Sequence, residues 1–169
     1  MEKFISSLEK VLSYIYSPLI KINIVLMIIW PLTVVIYTIL RFFDLPLFFV
    51  EEYTKYWLVF ITYSMLAYAF RAGSHIKIDI LTKDIKGISE KILETIIDLL
   101  MIFVSIHLFQ RSINLFIYSF KSKATSGFAS DSLLWPFYSF PIIGFALLIM
   151  EILIKTCKDL KKFSITKNI

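Results

Sequence analysis

The chain has 169 residues, of which 58% are hydrophobic and 17% aromatic, and its formal charge is +5 at pH 7. Only 18% of the residues are charged, below the roughly one quarter typical of a soluble domain, which predicts an integral membrane protein. The lysines lie beside apolar runs, so the positive charge favours a membrane surface and excludes a nucleic-acid partner. The single cysteine, Cys157, excludes a disulfide framework and a CxxC redox pair.

The first segment, residues 1–17, has apolar residues at helical spacing and charged residues opposite them, and Pro18 ends the pattern. We therefore expect an N-terminal amphipathic helix on the inner membrane surface. A signal peptide is the alternative, but it needs an unbroken apolar region and a small-residue cleavage site, and the segment has neither. We expect the segment to remain in the mature protein.

Four membrane spans are predicted after it. The spans cover residues 21–41, 46–70, 93–120 and 132–154, and a basic tail follows at 155–169. The uncharged run between Lys55 and Arg71 is too short to cross a bilayer, so the second span must begin near Pro46. Glu51 and Glu52 then lie at the outer interface, where ionised groups are expected to be paired or to face protein.

The distribution of Lys and Arg predicts the orientation. Thirteen of these residues lie in the N-terminal segment, the second connection and the tail, against five on the opposite side. The positive-inside rule then places both termini in the cytoplasm. We predict an all-α integral membrane protein in which residues 1–169 form one four-helix membrane domain with an N-terminal amphipathic helix.

The sequence has no motif of an enzyme active site, so we predict a protein without catalytic residues or a cofactor. His75 and Asp79 are four residues apart, but no third ligand accompanies them, which argues against a metal site. His107 and Arg111 share a face of the third span, and Asp98 lies about 180° from His107. A polar contact between His107, Arg111 and a neighbouring helix is favoured over a proton relay.

The second span carries a stripe of mostly aromatic residues on one face. Its members are Tyr53, Tyr56, Phe60, Tyr63, Ala67 and Phe70. Two interpretations stay open: contact with this chain's own helices, and contact with another protein. Because four helices cannot enclose every aromatic residue and paired carboxylate, the second interpretation remains strong.

The stretch from Glu51 to Asp79 resembles a known family. Glu51-Glu52, an aromatic helix and the pattern Arg71-x-Gly73-x-His75-Ile76-x-Ile78-Asp79 are similar to the small, DctQ-type membrane subunit of tripartite ATP-independent periplasmic (TRAP) transporters. Weaker support comes from Trp135-Pro136, Tyr138 and Pro141 to Gly144. The chain departs from the family at Tyr63, Ser64 and Met65, where members often have a glycine.

The resemblance implies a non-catalytic subunit that holds a large, M-type membrane subunit while its transport domain moves in an elevator-like manner. That subunit would carry sodium and a carboxylate solute, such as a C4-dicarboxylate or sialic acid, delivered by a periplasmic binding protein. It also implies a multi-pass protein of the bacterial inner membrane, in contact with lipids. An alternative is a self-contained four-helix transporter or channel, for which only His107, near Arg111, supplies an ionisable group near mid-membrane.

The resemblance further implies docking or anchoring roles at both ends of the second span. Glu51 and Glu52 would anchor the outer end, with Lys55 as a local partner of Glu51. Arg71 and His75 would lie at the inner boundary, Gly73 would let the chain leave the helix, and Asp79 would hold the turn. The candidate docking or anchoring residues are Glu51, Glu52, Tyr53, Tyr56, Phe60, Tyr63, Ala67, Arg71, Gly73, His75 and Asp79.

Overall fold

The computed structural model describes residues 2–45, 47–73, 88–127 and 131–166. In this part of the chain the backbone forms four helices: α1 (Glu2–Phe42), α2 (Phe48–Arg71), α3 (Ile88–Ser122) and α4 (Ser139–Thr166). The described residues contain no strand, only an isolated β-bridge between Thr125 and Leu133 in the α3–α4 connection. The predicted all-α fold is confirmed.

Three segments of the described helices are long and apolar enough to cross a membrane: Ser6–Phe42 in α1, Thr95–Ser122 in α3 and Ser139–Lys158 in α4. They coincide with the first, third and fourth predicted spans. Helix α2 does not reach the same apolar content, because Glu51, Glu52, Lys55 and Arg71 lie in it together with several Tyr, Thr and Ser residues. Length and composition alone therefore identify three spans.

Helix α1 is continuous, so the prediction that a separate amphipathic helix ends at Pro18 was wrong. Pro18 and Pro31 both lie inside the 41-residue helix. A proline removes one backbone hydrogen bond from a helix, but packing can hold the flanking turns in place. Here Leu12 and Tyr16, before the proline, are buried in the hydrophobic core, and Leu19 and Ile20, after it, pack against the same core.

Helix α4 begins and ends later than the predicted span at 132–154. Residues 134–138 form a bend and turns, with the Phe137 amide donating to the Leu134 carbonyl at 3.1 Å, and the helix starts at Ser139. Pro136 keeps Trp135 out of a helix, since a proline disfavours helical geometry in the residue before it. The segment predicted as a basic tail continues the helix to Thr166.

The helices pack in the order α1, α2, α4, α3. Helix α2 lies between α1 and α4, and α4 lies between α2 and α3. The two outer helices, α1 and α3, therefore each leave a broad face uncovered, on which most of the exposed large apolar side chains lie. Lipid or another membrane protein has to cover these faces.

Helices α2 and α4 approach each other closely at Gly144. A β-carbon built on Gly144 would lie 2.6 Å from the Tyr63 carbonyl oxygen and 2.9 Å from the Tyr63 β-carbon. Only glycine fits at this distance. The glycine that brings two helices together is thus on α4, opposite the α2 position where this chain has Tyr63.

Candidate functional site

Polar residues cluster at both ends of α2, which we call the Glu51 end and the Arg71 end. At the Glu51 end, the Tyr37 hydroxyl of α1 donates a hydrogen bond to Glu51 Oε2 at 3.0 Å. The Lys55 ammonium lies 3.4 Å from Glu51 Oε1, as the four-residue spacing predicts. Both members of this ion pair are about half exposed, so it contributes little to stability.

Glu52, in contrast, is buried, with only 1% of its surface exposed. The Tyr56 hydroxyl donates a hydrogen bond to Glu52 Oε1 at 3.1 Å. The Tyr56 ring stacks on Phe137 of the α3–α4 connection at a centroid distance of 3.6 Å. A buried carboxylate requires such donors, and the Tyr56 ring that carries this hydroxyl packs the connection against α2.

The predicted stripe on α2 packs mainly against α4 and the connection before it. Tyr53 meets Phe137, Phe60 meets Phe140, and Tyr63 meets Phe145 in edge-to-face contacts. Ala67 has no exposed surface, and Phe70 is buried. These contacts favour the interpretation that the stripe packs against this chain's own helices over the interpretation that it contacts another protein.

Tyr53 differs from the rest of the stripe because it is 40% exposed. Its hydroxyl lies 3.2 Å from Ser132 Oγ, at the end of the α3–α4 connection. Tyr53 and Glu51 are thus the members of the predicted docking set that remain accessible at the Glu51 end.

A buried polar contact joins α1 and α2 midway along their length. The Ser64 hydroxyl donates to Asn23 Oδ1 at 3.1 Å, and Asn23 Nδ2 donates to the Leu19 carbonyl at 2.8 Å. Both side chains are buried. Sequence reasoning missed this pair, because a single Asn among apolar residues gives no indication of which helix it faces.

At the Arg71 end, Arg71 Nη1 lies 3.6 Å from Glu151 Oε1 of α4. This is an ion-pair distance but is too long for a hydrogen bond. The guanidinium carbon also lies 5.7 Å from the Tyr16 ring centroid of α1, within cation–π range. Arg71 therefore connects α2 to both of its neighbours inside the chain.

A second ion pair joins α3 to α4 at the same end. Lys155 Nζ donates to both carboxylate oxygens of Asp98, at 2.7 and 2.9 Å. Asp98 is buried, whereas Lys155 is partly exposed and lies 5.6 Å from the Phe70 ring centroid. Sequence reasoning left Asp98 without a partner, because it assigned Lys155 to a tail beyond the last span.

A third ion pair, between Glu9 of α1 and Lys158 of α4, completes the Arg71 end. Three ion pairs at this end of the molecule therefore link all four helices, and we call them the ion-pair clasp. They are Arg71–Glu151, Lys155–Asp98 and Lys158–Glu9. Each pair joins residues of different helices. The clasp thus holds the helices together through charge pairs that cross between them.

Gly73 lies just after the end of α2 and has a φ of +70°, in the left-handed region that favours glycine. The chain leaves the helix at this residue. His75 and Asp79, the remaining predicted anchors, lie outside the described residues.

The described residues contain no group of three His, Cys, Asp or Glu side chains that could hold a metal ion. Among their buried polar groups, Asn23 pairs with Ser64 between α1 and α2, and Asp98 pairs with Lys155 between α3 and α4. Such an arrangement can fix the relative positions of four helices, and it contains no nucleophile placed beside a base.

A family profile described as "Tripartite ATP-independent periplasmic transporters, DctQ component" matches residues 31–162, most of the chain. The chain belongs to the DctQ family. Comparisons with curated proteins and with solved structures gave no match. DctQ proteins are components of a transporter, so the membership agrees with the apolar helices.

The DctQ match begins within α1 and ends within α4. It therefore includes all of α2 and α3, the Gly144 contact, and the Arg71–Glu151 and Lys155–Asp98 pairs. The N-terminal half of α1 precedes the match, although Leu12 and Tyr16 from that half are buried in the same core.

Proposed function

We propose that this DctQ protein is the non-catalytic small permease subunit of a TRAP transporter in the bacterial inner membrane. It acts as a scaffold for the large membrane subunit. The large subunit carries sodium and a carboxylate solute of the C4-dicarboxylate or sialic acid type, which a periplasmic binding protein delivers. Substrate and ion sites are then found in the partner subunits.

The observation that carries the proposal is the family match over residues 31–162. The open order of helices supports it, since α1 packs mainly against α2 and α3 mainly against α4, and both leave apolar faces for another membrane protein. The paired polar groups support it as well. A transport path needs ionisable groups along a cavity, whereas Asp98, Glu151 and Glu52 each have a partner inside the chain.

The proposal includes α2 as a fourth span, with both termini in the cytoplasm. Helix α2 contacts α1 at four successive levels: Tyr37 with Glu51, Trp30 with Thr54, Asn23 with Ser64, and Tyr16 with Tyr68. From Tyr37 to Tyr16 the α1 axis rises roughly 30 Å, the thickness of the hydrocarbon core. A helix that follows α1 over this distance crosses the membrane with it.

Co-purification tests the proposal. The tagged chain, expressed with the large membrane subunit and extracted in a mild detergent, is expected to retain that subunit through size-exclusion chromatography. A self-contained transporter or channel would instead purify as a homo-oligomer and give solute flux by itself in liposomes, which would overturn the proposal.

A further inference from the structure

Helix α3 carries a polar stripe on the side that faces away from the rest of the chain. The stripe consists of His107, Gln110, Arg111 and Asn114, spaced so that they share one helix face, and all four are exposed. They lie roughly 120° to 180° around the helix from Asp98, which faces α4. Phe103, one turn before the stripe, is 74% exposed, and Tyr118, one turn after it, is 69% exposed.

The stripe lies near the middle of the segment of α3 that is long and apolar enough to cross a membrane. The apolar segment of α3 runs from Thr95 to Ser122, so its midpoint is within roughly 2 Å of His107 and roughly 4 Å of Arg111 along the axis. Arg111 is thus about 11 Å from the nearer edge of a hydrocarbon layer about 30 Å thick. An arginine is always charged and carries five donors, which lipid chains cannot satisfy.

Nothing in the described chain satisfies Arg111. The ion pairs among the described residues involve Lys55, Arg71, Lys155 and Lys158, and none involves Arg111. Charged residues inside a membrane are normally paired or face a polar cavity. Arg111 therefore needs a partner beyond the described residues, and this partner must offer an acceptor at mid-membrane depth.

A second copy of the chain does not provide that acceptor. Two copies in one membrane have the same orientation, so two stripes would bring Arg111 against Arg111. The described carboxylates that are not buried lie near helix ends or in connections, far from the midpoint of α3: Glu9, Asp44, Glu51 and Asp131. A lipid headgroup stays at the interface and does not reach this depth.

We propose that this stripe docks a membrane helix of the large transporter subunit, and that a carboxylate on this helix pairs with Arg111. His107, Gln110 and Asn114 supply further hydrogen bonds across the two helices. Phe103 and Tyr118 pack against the same helix above and below the polar contact. The inference rests on the proposed function, because it assigns the surface through which the scaffold holds its partner.

Co-purification of the complex with matched variants tests the inference. Arg111→Leu is expected to weaken retention of the large subunit roughly tenfold or more, because it leaves the buried partner carboxylate unpaired. Lys121→Leu removes an exposed cation at the end of the same helix and is expected to change retention less than about twofold. The isolated Arg111→Leu chain should unfold at the same or a higher temperature than the unmodified chain, which separates lost docking from misfolding.

Cysteine cross-linking supplies a direct readout. In a Cys157→Ser background, Gln110→Cys should cross-link to the large subunit. Equal retention by Arg111→Leu and the unmodified chain, or a cross-link from Cys at position 110 to a second copy, would overturn the inference and leave the scaffold function intact. Failure of the unmodified chain to retain the large subunit would overturn both.

Discussion

Glu51 and Glu52 are adjacent in sequence but occupy opposite environments. Successive residues of a helix point about 100° apart, so Glu51 is half exposed beside Lys55, while Glu52 is buried and accepts a hydrogen bond from Tyr56. The sequence indicated that both carboxylates need partners. It could not indicate which of the two is buried, because that depends on how residues 131–138 fold back over α2.

Tyr56→Phe tests the role of Glu52. The substitution keeps the ring that stacks on Phe137 but removes the hydroxyl that donates to the buried carboxylate. We expect a loss of about 1–3 kcal/mol in the free energy of unfolding, measured by thermal or denaturant unfolding in detergent micelles.

Tyr53→Phe is the matched control, because the Tyr53 hydroxyl contacts Ser132 in a partly exposed position. We expect Tyr53→Phe to lower the free energy of unfolding by less than about 1 kcal/mol. Equal effects of the two substitutions would contradict the account of Glu52 as a buried group that depends on Tyr56.

Gly144→Ala tests the close contact between α2 and α4. The added methyl group would overlap the backbone and β-carbon of Tyr63, and backbone atoms cannot move aside as a flexible side chain can. We expect destabilisation of about 1–3 kcal/mol from overpacking, whereas Ile143→Ala, at a neighbouring exposed position, should change stability by less than about 0.5 kcal/mol. An unchanged free energy of unfolding for Gly144→Ala would contradict the close contact between α2 and α4.

At the scale of elements, the sequence predicted the existence of the helices better than their ends. The apolar runs located α1, α3 and α4, and the distance argument placed the start of α2 near Pro46, close to the observed Phe48. Pro18 was misleading because buried residues on both sides of it keep α1 continuous. The end of α4 was misplaced because Lys155 and Lys158 marked the edge of the apolar run, although both are inside the helix and pair with other helices.

The ion-pair clasp could not be predicted from sequence, since its partners are distant along the chain and their pairing depends on the order of the helices. Asp98 and Lys155 are 57 residues apart. What the sequence did indicate was that Arg71 lies at the inner boundary of the second span. Its ion-pair partner, Glu151, belongs to the same chain.

Lys155→Ala tests the clasp at the α3–α4 contact, because it leaves Asp98 buried without its cation. Breaking a buried pair typically costs about 3–5 kcal/mol, but Lys155 is 41% exposed, and water screens part of the interaction. We therefore expect Lys155→Ala to lower the free energy of unfolding by about 1–3 kcal/mol. Asp98→Asn combined with Lys155→Met should recover part of this loss, since no charge then remains buried.

Lys55→Ala is the matched control for the clasp, because Lys55 forms an exposed pair with Glu51. We expect Lys55→Ala to change the free energy of unfolding by less than about 0.5 kcal/mol. An equally small effect of Lys155→Ala would contradict a structural role for the buried pair.

At the scale of the whole molecule, contacts within the chain stabilise the central helices, whereas the outer helices have faces that no part of the described chain covers. Packing around Gly144 and the clasp fixes α2 and α4 at the centre, while α1 and α3 present uncovered faces. The aromatic stripe that the sequence offered as a docking face lies mostly inside, and the polar stripe on α3 takes its place as the candidate docking surface. This arrangement fits a subunit that is rigid and depends on a partner.

Uptake into proteoliposomes tests the scaffold function most directly. Liposomes would contain the large membrane subunit with the binding protein and solute outside, with or without this chain, and a third set would contain this chain alone. We predict solute uptake only when the large subunit and this chain are present together, and no flux from this chain alone. Uptake at an unchanged rate without this chain, or flux from this chain by itself, would contradict the account.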